Sequence, residues 1–201
     1  MDIFTATSLN NKIMINDEKY RFKELSTSEI LKFRDKIRNK YKAIIVGADT
    51  IKKDNSILLN KNKSNKRIII DKYQDLSMDL QIFNIEPNKT YILVFEEKKE
   101  YKKQVEERGA NYIITNENEI CSEINKIGDG KVLLEGGAKI IKKFLQLGEV
   151  DKISIIQFPI LYSNDALGMF DYIEHNYKLN LYKNKIIDNQ FVYLEYKLDI
   201  I

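Results

Sequence analysis

The sequence predicts an α/β protein with a mostly parallel, mixed sheet, helices on both faces and an antiparallel hairpin at its C-terminus. Short β-branched apolar runs alternate with amphipathic helical patterns, as βα repeats require. Those runs are apolar on both faces, which suits strands covered by helices on both sides. After residue 158 the alternation stops, and two long strand-like segments, 178–187 and 190–198, flank the turn-forming pair Asp188-Asn189.

The elements follow in order. Ser26-x-x-Glu29 reads as a capping box opening a helix with Ile30, Phe33 and Ile37 on one face. Ala43-Ile44-Ile45-Val46 is a strand. Lys61-Asn62-Lys63-Ser64-Asn65-Lys66 is the most polar stretch and reads as a surface loop, followed by the strand Arg67-Ile68-Ile69-Ile70. Tyr91-Ile92-Leu93-Val94-Phe95 is the next strand. The charged run from Glu96 to Lys103 is a solvated helix face with i,i+4 pairs, and Tyr101, Val105 and Arg108 lead to Gly109. Tyr112-Ile113-Ile114 is a strand. Asn116-x-x-Glu119 opens a helix carrying Ile120, Ile124 and Ile127, with Gly128 as its stop. Val132-Leu133-Leu134 is a strand, and Ile141, Phe144 and Leu145 lead to Gly148. A glycine just past a helix takes the left-handed C′ position at low steric cost. Residues 151–158 form the strand before the hairpin. With neither an internal repeat nor a linker, residues 1–201 read as one domain.

Composition narrows the function. Of 201 residues, 43% are hydrophobic, enough for a packed core. Lys and Arg number 33 against 30 Asp and Glu, so a net charge of +3 gives no electrostatic reason to expect nucleic acid. The 12 tyrosines are spread out and form no base-stacking motif. With one cysteine, Cys121, there is no intrachain disulfide. With one histidine, His175, there is no Cys/His zinc site, and no metal is expected. A hydrolytic triad would need His175, which sits in the polar stretch Glu174-His175-Asn176-Tyr177, away from any nucleophile elbow, and reads as a surface residue. No apolar run approaches the ~20 residues that span a bilayer. Met1-Asp2-Ile3-Phe4 lacks a basic signal region. A cytoplasmic protein with no membrane partner is expected.

Two glycine junctions carry chemistry. Val46-Gly47-Ala48-Asp49-Thr50 and Leu134-Glu135-Gly136-Gly137-Ala138 each follow a strand. There glycines let a phosphate approach the backbone, and helix amides favour the anion. Ligands of open α/β sheets bind at the carboxyl ends of strands, so the pair suggests a dinucleotide or a phosphorylated ligand. On spacing alone a tight turn is an equal alternative. Neither G-x-G-x-x-G nor a Walker A sequence is present. Asp54-Asn55, taken alone, reads as a helix terminus or solvated loop. Glu135 ends an apolar strand, where partial burial would raise its pKa, with a structural ion pair as the alternative.

In order, these segments resemble the reductase domain of the riboflavin-biosynthesis deaminase–reductase family. Thr5-Ala6-Thr7-Ser8-Leu9-Asn10-Asn11-Lys12-Ile13 resembles the family's opening strand and Ser-Leu-Asp-Gly-Lys-Ile loop. Leu25-Ser26-Thr27 resembles its Ile-Thr-Ser, and Arg38 an arginine just before the next strand. Val46-Gly47-Ala48-Asp49-Thr50-Ile51-Lys52-Lys53-Asp54-Asn55 resembles Val-Gly-x-x-Thr-Val-x-x-Asp-Asn. Glu135-Gly136-Gly137-Ala138, Val150-Asp151 and Phe158-Pro159 resemble the later signature. The match spans roughly residues 3–170.

The resemblance implies a dihydrofolate-reductase-like fold and reduction of a ribosylamino group on a phosphorylated pyrimidine to a ribitylamino group. NADPH is the implied cofactor, with NADH as the alternative. Gly47, Thr50, Gly136, Gly137 and Ala138 would line it. Ser26, Arg38, Asn55 and Lys61 would bind substrate, and Asp54 and Glu135 would be catalytic. No deaminase domain is found, so a stand-alone reductase acting on the 2,5-diamino pyrimidinone is expected, of the kind typical of archaea and fungi. Relatives also suggest that the apolar strands at 178–198 join two copies in a homodimer. Lys98 or Lys99 is a candidate for the cofactor's 2′-phosphate, with a solvated helix face as the plainer reading.

This chain departs from the pattern in several places. Asn10-Asn11 replace Asp-Gly, Ser56 replaces a proline, and Phe4 a lysine. Lys61 replaces an arginine, keeping charge but losing the bidentate fork. Tyr162-Ser163-Asn164-Asp165 stand where a glycine pair is usual. The rival readings are a same-fold reductase of a pterin or dihydrofolate and a non-catalytic nucleotide-binding relative. Arg38 and Lys61 favour a sugar phosphate over a pterin.

Overall fold

The structure is a computed structural model and describes residues 1–14 and 18–199. In chain order its strands and helices are β1 (Asp2–Thr7), β2 (Lys12–Met14), α1 (Phe22–Leu25), α2 (Ser28–Arg38), β3 (Ala43–Gly47), α3 (Ala48–Asp54), β4 (Lys66–Ile70) and α4 (Gln81–Asn84). There follow β5 (Thr90–Val94), α5 (Lys99–Glu107), β6 (Asn111–Ile114), α6 (Ile120–Gly128), β7 (Val132–Leu134), α7 (Ala138–Gln146), β8 (Lys152–Gln157), β9 (Leu167–Gly168), β10 (Lys178–Ile187) and β11 (Phe191–Asp199). The class is the expected one: α/β, with mostly parallel strands and a C-terminal antiparallel hairpin. The chain forms two compact units, Met1–Lys36 with Leu134–Ile201, and Ile37–Leu133.

In the first unit the strands lie in the order β10-β11-β8-β1. β1 and β8 are parallel, from Asp2 opposite Lys152 to Thr7 opposite Gln157. β11 pairs antiparallel with β8 and with β10. Along β11 burial alternates, so Phe191, Tyr193 and Glu195 face inward. Phe158 meets Phe191 edge-on at 4.8 Å, and Phe33 of α2 meets Tyr193 at 4.9 Å. The hairpin turns at Asp188 and Asn189, both left-handed at φ 52° and 53°. Asn and Asp tolerate that conformation better than other non-glycine residues.

In the second unit the order is β7-β3-β4-β5-β6, and β3 to β6 are parallel throughout. Ile44, Ile45, Ile68, Ile69, Ile92 and Leu93 are wholly buried, which is why these runs carry no alternation. α6 packs on β3 and β4 through Ile120, Ile124 and Ile127, and α5 packs beside β6 through Tyr101 and Val105. Among the described residues no helix is long and apolar enough to cross a membrane.

Three local readings change. Ser26 is not the cap of α2: the Ile30 N–H reaches the Thr27 hydroxyl (3.4 Å), while Ser26 closes α1 by donating to Phe22 O (2.6 Å). Gly128 lies inside α6 rather than after it. A Cβ there would stand 2.4 Å from Val132 Cγ2 and 3.2 Å from Ala43 Cβ, so close packing requires the glycine. The chain reverses instead at Asp129 and Gly130, at φ 49° and 66°. Gly109 and Gly148 do take left-handed positions after their helices. Finally, Lys61 to Ser64 are exposed as expected of a surface loop, but Asn65 is buried. Its Oδ1 accepts from Asn60 N–H (2.7 Å) and its Nδ2 donates to Leu58 O (3.2 Å).

Short elements without a periodic pattern of their own, namely the β2–β9 pair, α4 and the turn Pro87–Lys89, escape sequence reading. The last two are organised by Arg67, which is wholly buried. Its guanidinium donates to Thr90 Oγ1 (2.6 Å) and to the carbonyls of Ile57 (2.9 Å), Ile82 (2.7 Å), Glu86 (3.0 Å) and Ile85. Burial lowers its pKa to about 10, so it stays cationic at neutral pH.

Candidate active site

In the second unit the first glycine junction is a strand-to-helix turn. Gly47 ends β3 and is the N-cap of α3 with extended backbone (φ −81°, ψ 155°), and no side chain caps the helix. Where a Gly47 Cβ would stand there is nothing within 4 Å. Thr50 is half-buried in α3, and Asp54 is its exposed last residue. Four residues apart, they share one face of the helix, separated by about 6 Å along its axis. Asn55 stops the helix in the left-handed region (φ 42°), its N–H bonding to Ile51 O (2.9 Å). The Asn55 carboxamide oxygen accepts the Gln81 N–H (2.9 Å), and its carbonyl accepts the Gln81 side-chain amide (2.8 Å). Thus Asn55, expected at the substrate, also anchors α4. Ser56, the replacement for proline, accepts from Leu58 N–H (3.4 Å) at another left-handed position, Leu58 at φ 59°. Arg38 is buried at the end of α2, and Lys61 is exposed in its loop.

In the first unit Glu135 is half-buried directly after β7. Gly136 and Gly137 then separate in role. A Cβ on Gly136 would lie 1.9 Å from Ile140 Cγ2, so α7 packing demands glycine there. Gly137 caps α7 with extended backbone (φ −79°, ψ 176°), again without a side-chain cap, and has nothing within 4 Å of its Cβ position. Ala138 is buried in the first turn. Ser26 is half-buried at the end of α1.

The first loop absorbs its departures. Asn11 stands at φ 58°, the conformation a glycine would supply, and Asn tolerates it. Asn10 donates to Tyr162 O (2.8 Å) and accepts from Tyr162 N–H (3.1 Å) and the Ser8 hydroxyl (2.7 Å). The Asn10 carboxamide therefore holds the Tyr162 segment that replaces the glycine pair. The Tyr162 hydroxyl donates to Tyr20 O, and burial pushes its pKa up to about 12. Thr7, at the end of β1, escapes sequence reading. Its hydroxyl is buried and has no hydrogen-bond partner among the described residues.

Lys98 donates through Nζ to Tyr73 O (2.7 Å), and Lys102 pairs with Glu97 (2.9 Å), so this charged run is a solvated helix face with local ties. His175 is exposed. The two uncapped helix starts, each with open space beside its glycine, have the chemistry to take anionic phosphates through backbone N–H groups.

The RibD C-terminal domain family model matches residues 4–193. Over 146 residues the chain is 28% identical to a 2,5-diamino-6-ribosylamino-4(3H)-pyrimidinone 5′-phosphate reductase of Aquifex aeolicus, covering 68% of this chain and 65% of that protein. Among solved structures it resembles Acinetobacter baumannii RibD with a TM-score of 0.83 at 20% identity, covering 99% of this chain and 58% of that one. It also resembles the Saccharomyces cerevisiae riboflavin biosynthesis reductase Rib7, with a TM-score of 0.70 at 21% identity, covering 98% and 89%. The chain thus spans under two thirds of the length of the first two. The structural likenesses establish the fold, the dihydrofolate-reductase-like one that the resemblance implied.

Proposed function

The chain belongs to the RibD C-terminal domain family, and on that premise we propose that it reduces 2,5-diamino-6-(5-phosphoribosylamino)pyrimidin-4-one to its ribitylamino form in riboflavin biosynthesis. The observation that carries the reading is α3. Its N-terminus is uncapped after Gly47, and Asp54 lies one turn beyond Thr50 on the same face, so one short helix offers a phosphate-accepting end and a carboxylate.

Taken one at a time, the two junctions each suit a phosphate of a nicotinamide dinucleotide: no side chain caps α3 or α7, and the space beside Gly47 and beside Gly137 is open. Gly47, Thr50, Gly136, Gly137 and Ala138 would hold it. When bound, NADPH supplies a hydride to the sugar C1′. The chain's own groups prepare that carbon. Arg38 and Lys61 bind the 5′-phosphate as charge-assisted donors, and Ser26 and Asn55 bind the rest of the substrate. Asp54 and Glu135 hold ribose hydroxyls, and one of them protonates the ring oxygen. As the C1′–O4′ bond breaks, the amino nitrogen's lone pair forms C1′=N, and O4′ keeps the proton as a hydroxyl. One hydride and one proton thus convert substrate to product.

In this reading residues 1–201 act as a single reductase domain, in a cytoplasmic homodimer. Support for the dimer comes from β10, where Leu181, Tyr182 and Ile186 are exposed on an outer strand. The test is mass analysis of the product formed from the phosphorylated pyrimidine with NADPH. A product two hydrogens heavier is expected, with dihydrofolate unchanged. Reduction of dihydrofolate instead would favour the pterin reading, and NADPH binding without any product the non-catalytic one.

A further inference from the structure

The corner where α3 ends is held from outside the helix. Asn55 is left-handed (φ 42°), a conformation that asparagine tolerates and that hydrogen bonds to its carboxamide and carbonyl hold in one orientation. Gln81 supplies two of those bonds: its backbone N–H reaches Asn55 Oδ1 (2.9 Å) and its side-chain amide reaches Asn55 O (2.8 Å). The first is available to any non-proline residue, whereas the second belongs to glutamine. Two residues further on, Arg67 Nη1 holds Ile57 O (2.9 Å), while Nη2 holds the carbonyls of Ile82 (2.7 Å), next to Gln81, and of Glu86 (3.0 Å), beyond the end of α4. Lys52 of α3 pairs with Asp75 of the same following segment (2.5 Å). The segment after β4 therefore grips the C-terminal end of α3, the end that carries Asp54.

We propose that Gln81 is a positioning residue: its side-chain amide, by clamping the Asn55 carbonyl, sets the direction in which Asp54 meets the substrate. This rests on the substrate role given to Asp54 above. The clamp acts at one end of α3, so its loss separates substrate effects from cofactor effects.

The test compares Gln81→Ala, which removes the donor, with Gln81→Glu, which keeps the size but turns an oxygen toward the Asn55 carbonyl. Asp54→Ala is measured beside them. For Gln81→Ala, kcat/KM for the phosphorylated pyrimidine should fall about three- to tenfold, the scale of one lost hydrogen bond, and further for Gln81→Glu. NADPH affinity by fluorescence titration should stay within about twofold, and the unfolding temperature nearly unchanged. If NADPH affinity and unfolding temperature fall together with activity, the role is merely structural and the proposal fails. If both Gln81 variants keep wild-type kcat/KM while Asp54→Ala loses turnover, the clamp is refuted and the Asp54 assignment stands. If Asp54→Ala keeps full turnover, the Asp54 assignment itself fails and takes the clamp with it.

Discussion

Gly136 and Gly137 are neighbours under different constraints, and substitution separates them. Gly136→Ala drives a Cβ against Ile140 and should cost about 1–3 kcal/mol in denaturant unfolding. Gly137→Ala meets no atom within 4 Å, so it should cost no more than about 1 kcal/mol while weakening NADPH binding. Asp54→Ala and Glu135→Gln should each lower kcat by about 10²- to 10⁴-fold with the unfolding transition retained. At this scale the glycine junctions were legible as strand-to-helix turns because a turn depends on neighbours in sequence, whereas Asp54, which alone reads as the helix terminus it is, was singled out only by the family resemblance. The pairs Asn10–Tyr162 and Asn55–Gln81 were not. They join residues 152 and 26 positions apart, and no local pattern encodes such partners. Asn11 lies between these cases: its residue type suits the left-handed region, but only the fold shows that the region is needed.

Among the elements, β3 to β5 were readable because burial on both faces leaves an uninterrupted apolar run, whereas β6 is only half-buried, with Ile114 exposed, and was readable from its short β-branched run alone. α5, α6 and α7 were readable from their apolar spacing. The stop of α6 was misread because Gly128 serves packing against Val132 rather than the turn, a distinction that spacing does not contain. α4 and the Pro87–Lys89 turn were missed because their geometry comes from Arg67, not from their own sequence. Arg67→Met should therefore destabilise by about 3–5 kcal/mol in equilibrium unfolding, since it strands several inward-facing carbonyls. Arg67→Lys should recover little of this, because one ammonium cannot span the positions that the guanidinium fork reaches.

For the whole molecule, stability should be lost on the alkaline side. The buried Tyr101 hydroxyl donates to Asp71 (2.6 Å), and Tyr193 donates to Glu195 (2.6 Å). Burial, then the adjoining carboxylate, holds both phenols well above their ordinary pKa. The folded state binds these protons more tightly than the unfolded state. Their contribution is therefore fully present below about pH 10 and is lost as pH rises from there through the folded values. Urea unfolding from pH 8 to 11 should show this decline, and Tyr101→Phe should make it shallower. Light scattering should give twice the chain mass at micromolar concentration, and Leu181→Lys with Ile186→Lys should shift it toward the monomer; a wild-type monomer would remove the dimer reading. The most direct measurement is the loss of NADPH absorbance with the diamino ribosylaminopyrimidinone phosphate as substrate. Oxidation that requires this substrate, at one NADPH per ribityl product, is the expected result. Saturable NADPH binding with no oxidation in its presence would contradict the proposed reduction.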